Sequence, residues 1–190
     1  MKRVLYAVPV LVLFASVAFS QMPAGQKVGL ATSLQRAYAG LKLNLTQEAE
    51  KMSEADYSFK PGSTPEARTF AQVIAHIAQS QLGQCSNMKG VPNPAQGKNL
   101  EQELKTKADV TKALADSFAM CDDVFTQTTD ENATQFIKQG QNEVTRAASL
   151  FGLIAHGNEI YGTGAVYLRS KNIVPPSTER ASMGRGRGND

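Results

Sequence analysis

Four stretches of this chain carry apolar residues at steps of three and four, and no segment alternates with period two over a convincing length. The first stripe is Leu30, Leu34, Tyr38, Leu41, Leu45, Ala49 and Met52, one face of a helix that ends before ADYSFKPG, where Pro61 and Gly62 enforce a turn. Thr69 with Gln72 three residues on forms a capping-box pattern ahead of Phe70, Val73, Ile74 and Ile77, and predicts a second helix to about Asn87 or Met88. GVPNPAQG, residues 90–97, breaks it. A short helix is allowed between Asn99 and Lys105, and Thr106 with Asp109 opens the third long one through Val110, Ala113, Leu114, Phe118 and Phe125. After the polar turn TTDEN, residues 128–132, a fourth stripe carries Leu150, Leu153, Ile154, Tyr161 and Leu168, and Pro175 and Pro176 stop it. The fold class that follows is all-α, a four-helix bundle.

The ends of the chain are compositionally distinct. Lys2 and Arg3 precede a run from Val4 to Phe19 with few polar groups, too short for a spanning helix of ~20 apolar residues. Ala18 and Ser20 are small residues at the spacing of a leader-peptidase site, so residues 1–20 read as a signal peptide. Export to the periplasm or the medium is the expected localisation, with no membrane attachment after cleavage. Residues 21–176 are long enough for one domain, and residues 177–190, STERASMGRGRGND, have almost nothing apolar to bury and read as a disordered basic tail. Without Lys2 and Arg3, 18 of the 20 basic residues stand against 17 acidic ones, a near balance that argues against a nucleic-acid partner. GxSxG, P-loop, GxGxxG and HExxH patterns are absent, which removes serine-hydrolase, kinase and dinucleotide-binding readings.

YSFKP (residues 57–61), RTFAQVIAHI (68–77), HGNEIYG (156–162) with Tyr167, Leu168 and Arg169, and IVPP (173–176) follow one another in an order and spacing that resembles the DinB-like helical bundle superfamily. The resemblance covers essentially the whole chain beyond the leader. It implies an up, down, down, up bundle with a long crossover between the second and third helices. It also implies a divalent metal, zinc or nickel, held by three histidines, one on the second helix and an HxxxH pair on the fourth. Characterised members resemble thiol-dependent transferases or isomerases, and a homodimer is compatible with the resemblance.

By position, His76 matches the second-helix ligand and His156 the first of the fourth-helix pair, while Ile160 occupies the third place. These are the only two histidines, and a catalytic zinc site ordinarily takes three protein ligands plus water. Glu159 is the nearest carboxylate substitute. At ~100° per residue, however, it lies ~60° from His156 toward solvent, whereas Ile160 lies ~40° away on the apolar side. Glu48 and Glu50 on the first helix are further carboxylates that the sequence does not place. The alternative is that His76 and His156 are hydrogen-bonded residues flanking the core; a haem held between them lacks a CxxCH motif. Gly157, Gly162 and Gly164 point to close approach of another helix, or to room for a ligand beside His156.

Cys85 and Cys121, the only cysteines, lie sixteen and fifteen residues beyond the Thr69 and Thr106 caps. If the second and third helices run parallel, as the resemblance implies, the two are level at ~1.5 Å per residue and within reach of a disulfide. An antiparallel hairpin would separate them, leaving two buried thiols. Two functions therefore stand at this point. One is an exported, divalent-metal-dependent, thiol-transferase-like enzyme with a degenerate site acting on an unknown small molecule. The other is a non-catalytic binding or structural bundle that has lost the metal.

Overall fold

The computed structural model describes residues 25–186, with side chains to residue 184; the leader expected at residues 1–20 lies outside the described residues. Four long helices form the body: α1 (Leu30–Lys51), α2 (Phe70–Lys89), α4 (Lys107–Thr126) and α6 (Arg146–Ser170). Between them stand two one-turn helices, α3 (Leu100–Glu103) and α5 (Asp130–Ala133), and a hairpin of β1 (Phe136–Gln139) and β2 (Asn142–Thr145); α7 (Pro176–Gly186) follows α6.

The capping residues read from the sequence make their bonds. The Gln72 amide donates to Thr69 Oγ1 at 3.3 Å and the Thr69 amide to Gln72 Oε1 at 2.8 Å, while Thr106 Oγ1 accepts from the Asp109 amide at 3.1 Å. α2 stops at Gly90, whose φ of +68° is left-handed, and the Val91 amide turns back to the Ser86 carbonyl at 3.0 Å. α1 has no side-chain cap of its own at Gly29. Asp130, ninety-nine residues after Ala31, accepts from the Ala31 amide at 2.6 Å instead. A Cβ on Gly29 would collide with that carboxylate.

Side-chain pairings give the helix directions. Ser117 donates to Gln81, and Cys121 is disulfide-bonded to Cys85 with Cα atoms 5.2 Å apart, so positions rise together and α2 and α4 run parallel. α1 and α6 are also parallel, with Leu41 against Gly157 and Glu48 against Gly164. α6 runs antiparallel to α2, since Tyr167 donates to the Arg68 carbonyl while His156 faces His76. α1 opposes α4 through Gln35, which reaches the Phe125 carbonyl, and Lys42, which pairs with Asp122. The order is up, down, down, up. Leu45, Phe70, Phe118, Phe125, Leu153 and Leu168 fill the centre, and Tyr38 stacks on Phe125 at 3.9 Å between centroids. Tyr57 is buried there too, its hydroxyl donating to the Ala49 carbonyl at 2.6 Å, so the YSFKP loop is anchored to the core.

Three regions depart from the sequence expectation. Residues 130–133 of the polar turn form α5, because Thr129 and Asn132 make a capping box. Residues 136–145 form a hairpin turned at Gly140, φ +61°, whose two strands are short and face solvent on both sides, so no alternation marks them. The expected disordered tail at 177–190 is corrected over its greater part: residues through 186 belong to α7, and 187–190 lie outside the described residues. Pro176 takes the first helical position, where its missing N–H costs nothing. α7 docks by polar contacts: Arg180 reaches Asn44 and Gln47, Lys51 pairs with Glu179 at 2.9 Å, and Ser177 and Tyr161 join through their hydroxyls at 2.8 Å. Low apolar content is a poor guide to a helix held this way.

Candidate functional site

His76, two turns into α2, and His156, in the middle of α6, face each other across the antiparallel pair of helices. Their ring centroids are 5.3 Å apart in an edge-to-face arrangement, and each side chain is 29% exposed. Each ring has its Nδ1 edge engaged by a carboxylate. Glu101 Oε1 lies 2.7 Å from His76 Nδ1, and Glu159 Oε2 lies 3.3 Å from His156 Nδ1. A neutral imidazole donating from Nδ1 keeps its Nε2 lone pair, so both rings are biased toward acting as bases or ligands through Nε2.

Glu101 escaped the sequence reading. It rides on α3 in the crossover, where Asn99 caps the turn and Leu100 buries itself beneath. Arg68 Nε donates to its other oxygen at 2.7 Å. Burial works against ionisation of Glu101, but the hydrogen bonds from Arg68 and His76 outweigh it and hold the carboxyl below its ordinary range. Arg68, Glu101 and His76 therefore form one hydrogen-bonded chain. The only sequence cue was the Asn99–Leu100 start of a short helix.

The remaining site residues do not converge on the pair. Ile160 is 7% exposed and belongs to the main core. A Cβ on Gly157 would collide with Leu41 and one on Gly164 with the Glu48 carboxyl, so these glycines let α6 press closely against α1. Gly162 faces open space. Glu159 touches the pair only by its 3.3 Å contact with His156 and is otherwise turned to solvent, at 73% exposure. Glu48 is fully buried, but beside Gly164, eight residues or ~12 Å along α6 from His156. Neither of its oxygens has a hydrogen-bond partner, and burial pushes its pKa up to about 9. Glu50 lies in a small groove with Thr111 and Leu114. Cys85 and Cys121 are buried in their disulfide, and no free cysteine remains.

Tested against a three-ligand metal centre, this donor set does not fit. Two imidazoles meet, Ile160 one turn beyond His156 carries no donor atom, and among the described residues no group of three or more His, Cys, Asp and Glu side chains is arranged to hold a metal ion. Two imidazoles alone bind first-row metals weakly.

Comparison with known proteins supports the architecture. The chain is similar in structure to a DinB-like protein from Bacillus cereus ATCC 10987, with TM-score 0.60 and 14% identity over 75% of this chain and 93% of that one. A DinB-like protein from Bacillus subtilis superposes with TM-score 0.55 and 23% identity over 74% and 92% of the two chains. A conserved protein from Enterococcus faecalis does so at 0.60 and 15%, over 75% and 97%. At these identities the likeness concerns the fold. No curated protein matches the sequence. The model of the DinB superfamily matches residues 43–159, a span that runs from the middle of α1 to Glu159 and takes in both histidines. This chain belongs to the DinB superfamily.

Proposed function

We propose that the chain is an exported DinB-superfamily bundle with a non-catalytic binding or structural role, and that its His76–His156 pair does no metal chemistry. The observation that carries this reading is Ile160: the residue at the third ligand position implied by the resemblance is a buried hydrocarbon with no donor atom. Export is supported by the basic, then apolar, then small-residue pattern of residues 1–20 and by the buried Cys85–Cys121 disulfide, which suits an oxidising compartment.

A second reading, a divalent-metal-dependent, thiol-transferase-like enzyme, has one observation in its favour. Both rings present Nε2 with a carboxylate behind Nδ1, the arrangement common to metal-ligating histidines. Metal analysis of gently purified protein separates the two. Far less than one equivalent of zinc or nickel, rising in Ile160→His, supports the reading without metal chemistry. About one tightly held equivalent that disappears in His76→Ala and His156→Ala overturns it.

A further inference from the structure

α7 lies across the seam between α1 and α6, and the side chains that hold it there are polar. On α1, Asn44 and Gln47 accept from Arg180, and Lys51 pairs with Glu179 at 2.9 Å. On α6, the Tyr161 hydroxyl donates to the Ser177 hydroxyl at 2.8 Å and accepts from the Ser177 amide at 2.9 Å, while Arg169 donates to the Thr178 hydroxyl at 3.3 Å. Beyond the buried Pro175 and Pro176, none of residues 177–184 is buried, and Met183 stands 60% exposed. A helix with so little apolar burial opens at low cost compared with the whole molecule.

These attachments bracket one group. Glu48 follows Gln47, stands four residues after Asn44 and three before Lys51, and so shares a flank of α1 with all three. Across the seam its carboxyl meets Gly164, three residues after Tyr161 and five before Arg169. The Glu48–Gly164 contact therefore lies between the residues that grip α7 on both helices, and α7 passes over it. Glu48 is fully buried, and neither of its oxygens has a hydrogen-bond partner.

The charged groups nearby are already engaged. Lys51 and Glu179 neutralise each other, Arg180 is taken up by Asn44 and Gln47, and Arg169 reaches Thr178. Lys171 and Asp56, paired at 2.8 Å, close the far end of the seam. On the other flank of α1, Lys42 pairs with Asp122 of α4, and Glu50 lies in the groove with Thr111 and Leu114. None of these charges offsets the cost of ionising Glu48, since burial alone raises its pKa. The carboxylate form needs water, and lifting α7 uncovers it.

We propose that α7 is a proton-operated cover, closed over the α1–α6 seam while Glu48 holds its proton and opened more often once Glu48 gives that proton to solvent. Water hydrates the carboxylate in the open form, and reprotonation lets α7 close again. Amide hydrogen exchange on the disulfide-bonded protein tests this between about pH 6 and pH 8, with rates corrected for the intrinsic pH dependence of exchange. One proton released per opening should raise the opening constant of α7 amides, read at residues 180–184, about tenfold per pH unit while the closed form predominates. Ile74 and Leu153, deep in the core, report opening of the whole molecule and should exchange far more slowly. In Glu48→Gln the α7 opening constant should be flat with pH. Arg180→Ala, which removes the contacts to Asn44 and Gln47, should raise it about tenfold at every pH and keep the slope. Exchange in α7 no faster than at Ile74 and Leu153, an opening constant that is flat in the unaltered protein, or a slope that survives in Glu48→Gln overturns the cover. So does α7 protection that grows with pH, which would mean that ionised Glu48 draws Arg180 inward.

Discussion

The carboxyl of Glu48 rests against the Cα of Gly164, across the interface of α1 and α6, with both oxygens buried and neither hydrogen-bonded. A carboxylate in that position is expensive to ionise, and its burial pushes the pKa from 4.5 to about 9.

A defined pH dependence of stability follows. Between the unfolded-state value of 4.5 and the folded value of about 9, the folded chain keeps a proton that the unfolded chain has released. Unfolding then sheds a proton, so rising pH favours it. The stability linked to Glu48 is full below pH 4.5 and declines as pH rises toward 9. Glu48→Gln, which cannot ionise, should flatten this slope and remove a penalty on the order of 5 kcal/mol at pH 8. Urea unfolding of both proteins across this range checks it; parallel midpoint curves would show that Glu48 does not cause the slope.

Gly157, Gly162 and Gly164, three of the four glycines of α6, should respond differently to one added methyl. Gly157→Ala meets Leu41 and Gly164→Ala meets Glu48, so each should cost about 1–3 kcal/mol by overpacking. Gly162→Ala meets nothing within 4 Å and should gain up to about 1 kcal/mol of helix propensity. Thermal melts of the three variants give the ordering directly, and a destabilised Gly162→Ala would contradict the packing described.

Replacing both cysteines by alanine opens a loop closed across 36 residues. The chain-entropy cost is about 3–4 kcal/mol. Equilibrium denaturation should show the loss with the helical content of the folded state retained. A change below about 1 kcal/mol would mean that the crossover is already ordered in the unfolded chain.

Asp130→Ala removes the acceptor at the start of α1 and should cost about 0.5–2 kcal/mol, the usual range for an N-cap. Amide exchange should quicken in the first turn, at Ala31 to Ser33, and stay slow near Leu45. Uniform acceleration along α1 would instead indicate global destabilisation.

The long helices were readable because their burial demands a regular stripe: Leu34, Tyr38, Leu41 and Leu45 repeat at the helical spacing and all lie in the core. Thr69 and Thr106 were readable because a cap acts within three residues. Features made by distant partners left no such mark. Asp130 caps a helix ninety-nine residues before it, Glu101 meets His76 from a four-residue helix, and α7 is held by Arg180 and Glu179 rather than by apolar side chains. Glu48 was half legible, since it sits three residues after Leu45 and four before Met52, on the buried face of α1. The histidines were found by position, but the close approach of α6 to α1 at Gly157 and Gly164 depends on Leu41 and Glu48, which lie more than a hundred residues earlier.

The borrowed cap on α1 also bears on the order in which the molecule assembles. A helix opening on glycine has no local device to offset the unfavourable first turn. Its first-turn acceptor arrives only after α4 has been traversed and α5 has formed. α1 should therefore be a late, contact-dependent helix despite standing first among the described elements, whereas α2 and α4 carry their own start signals and can nucleate alone. A peptide of residues 25–52 should accordingly be mostly coil in water, and a peptide of residues 104–128 measurably more helical by circular dichroism.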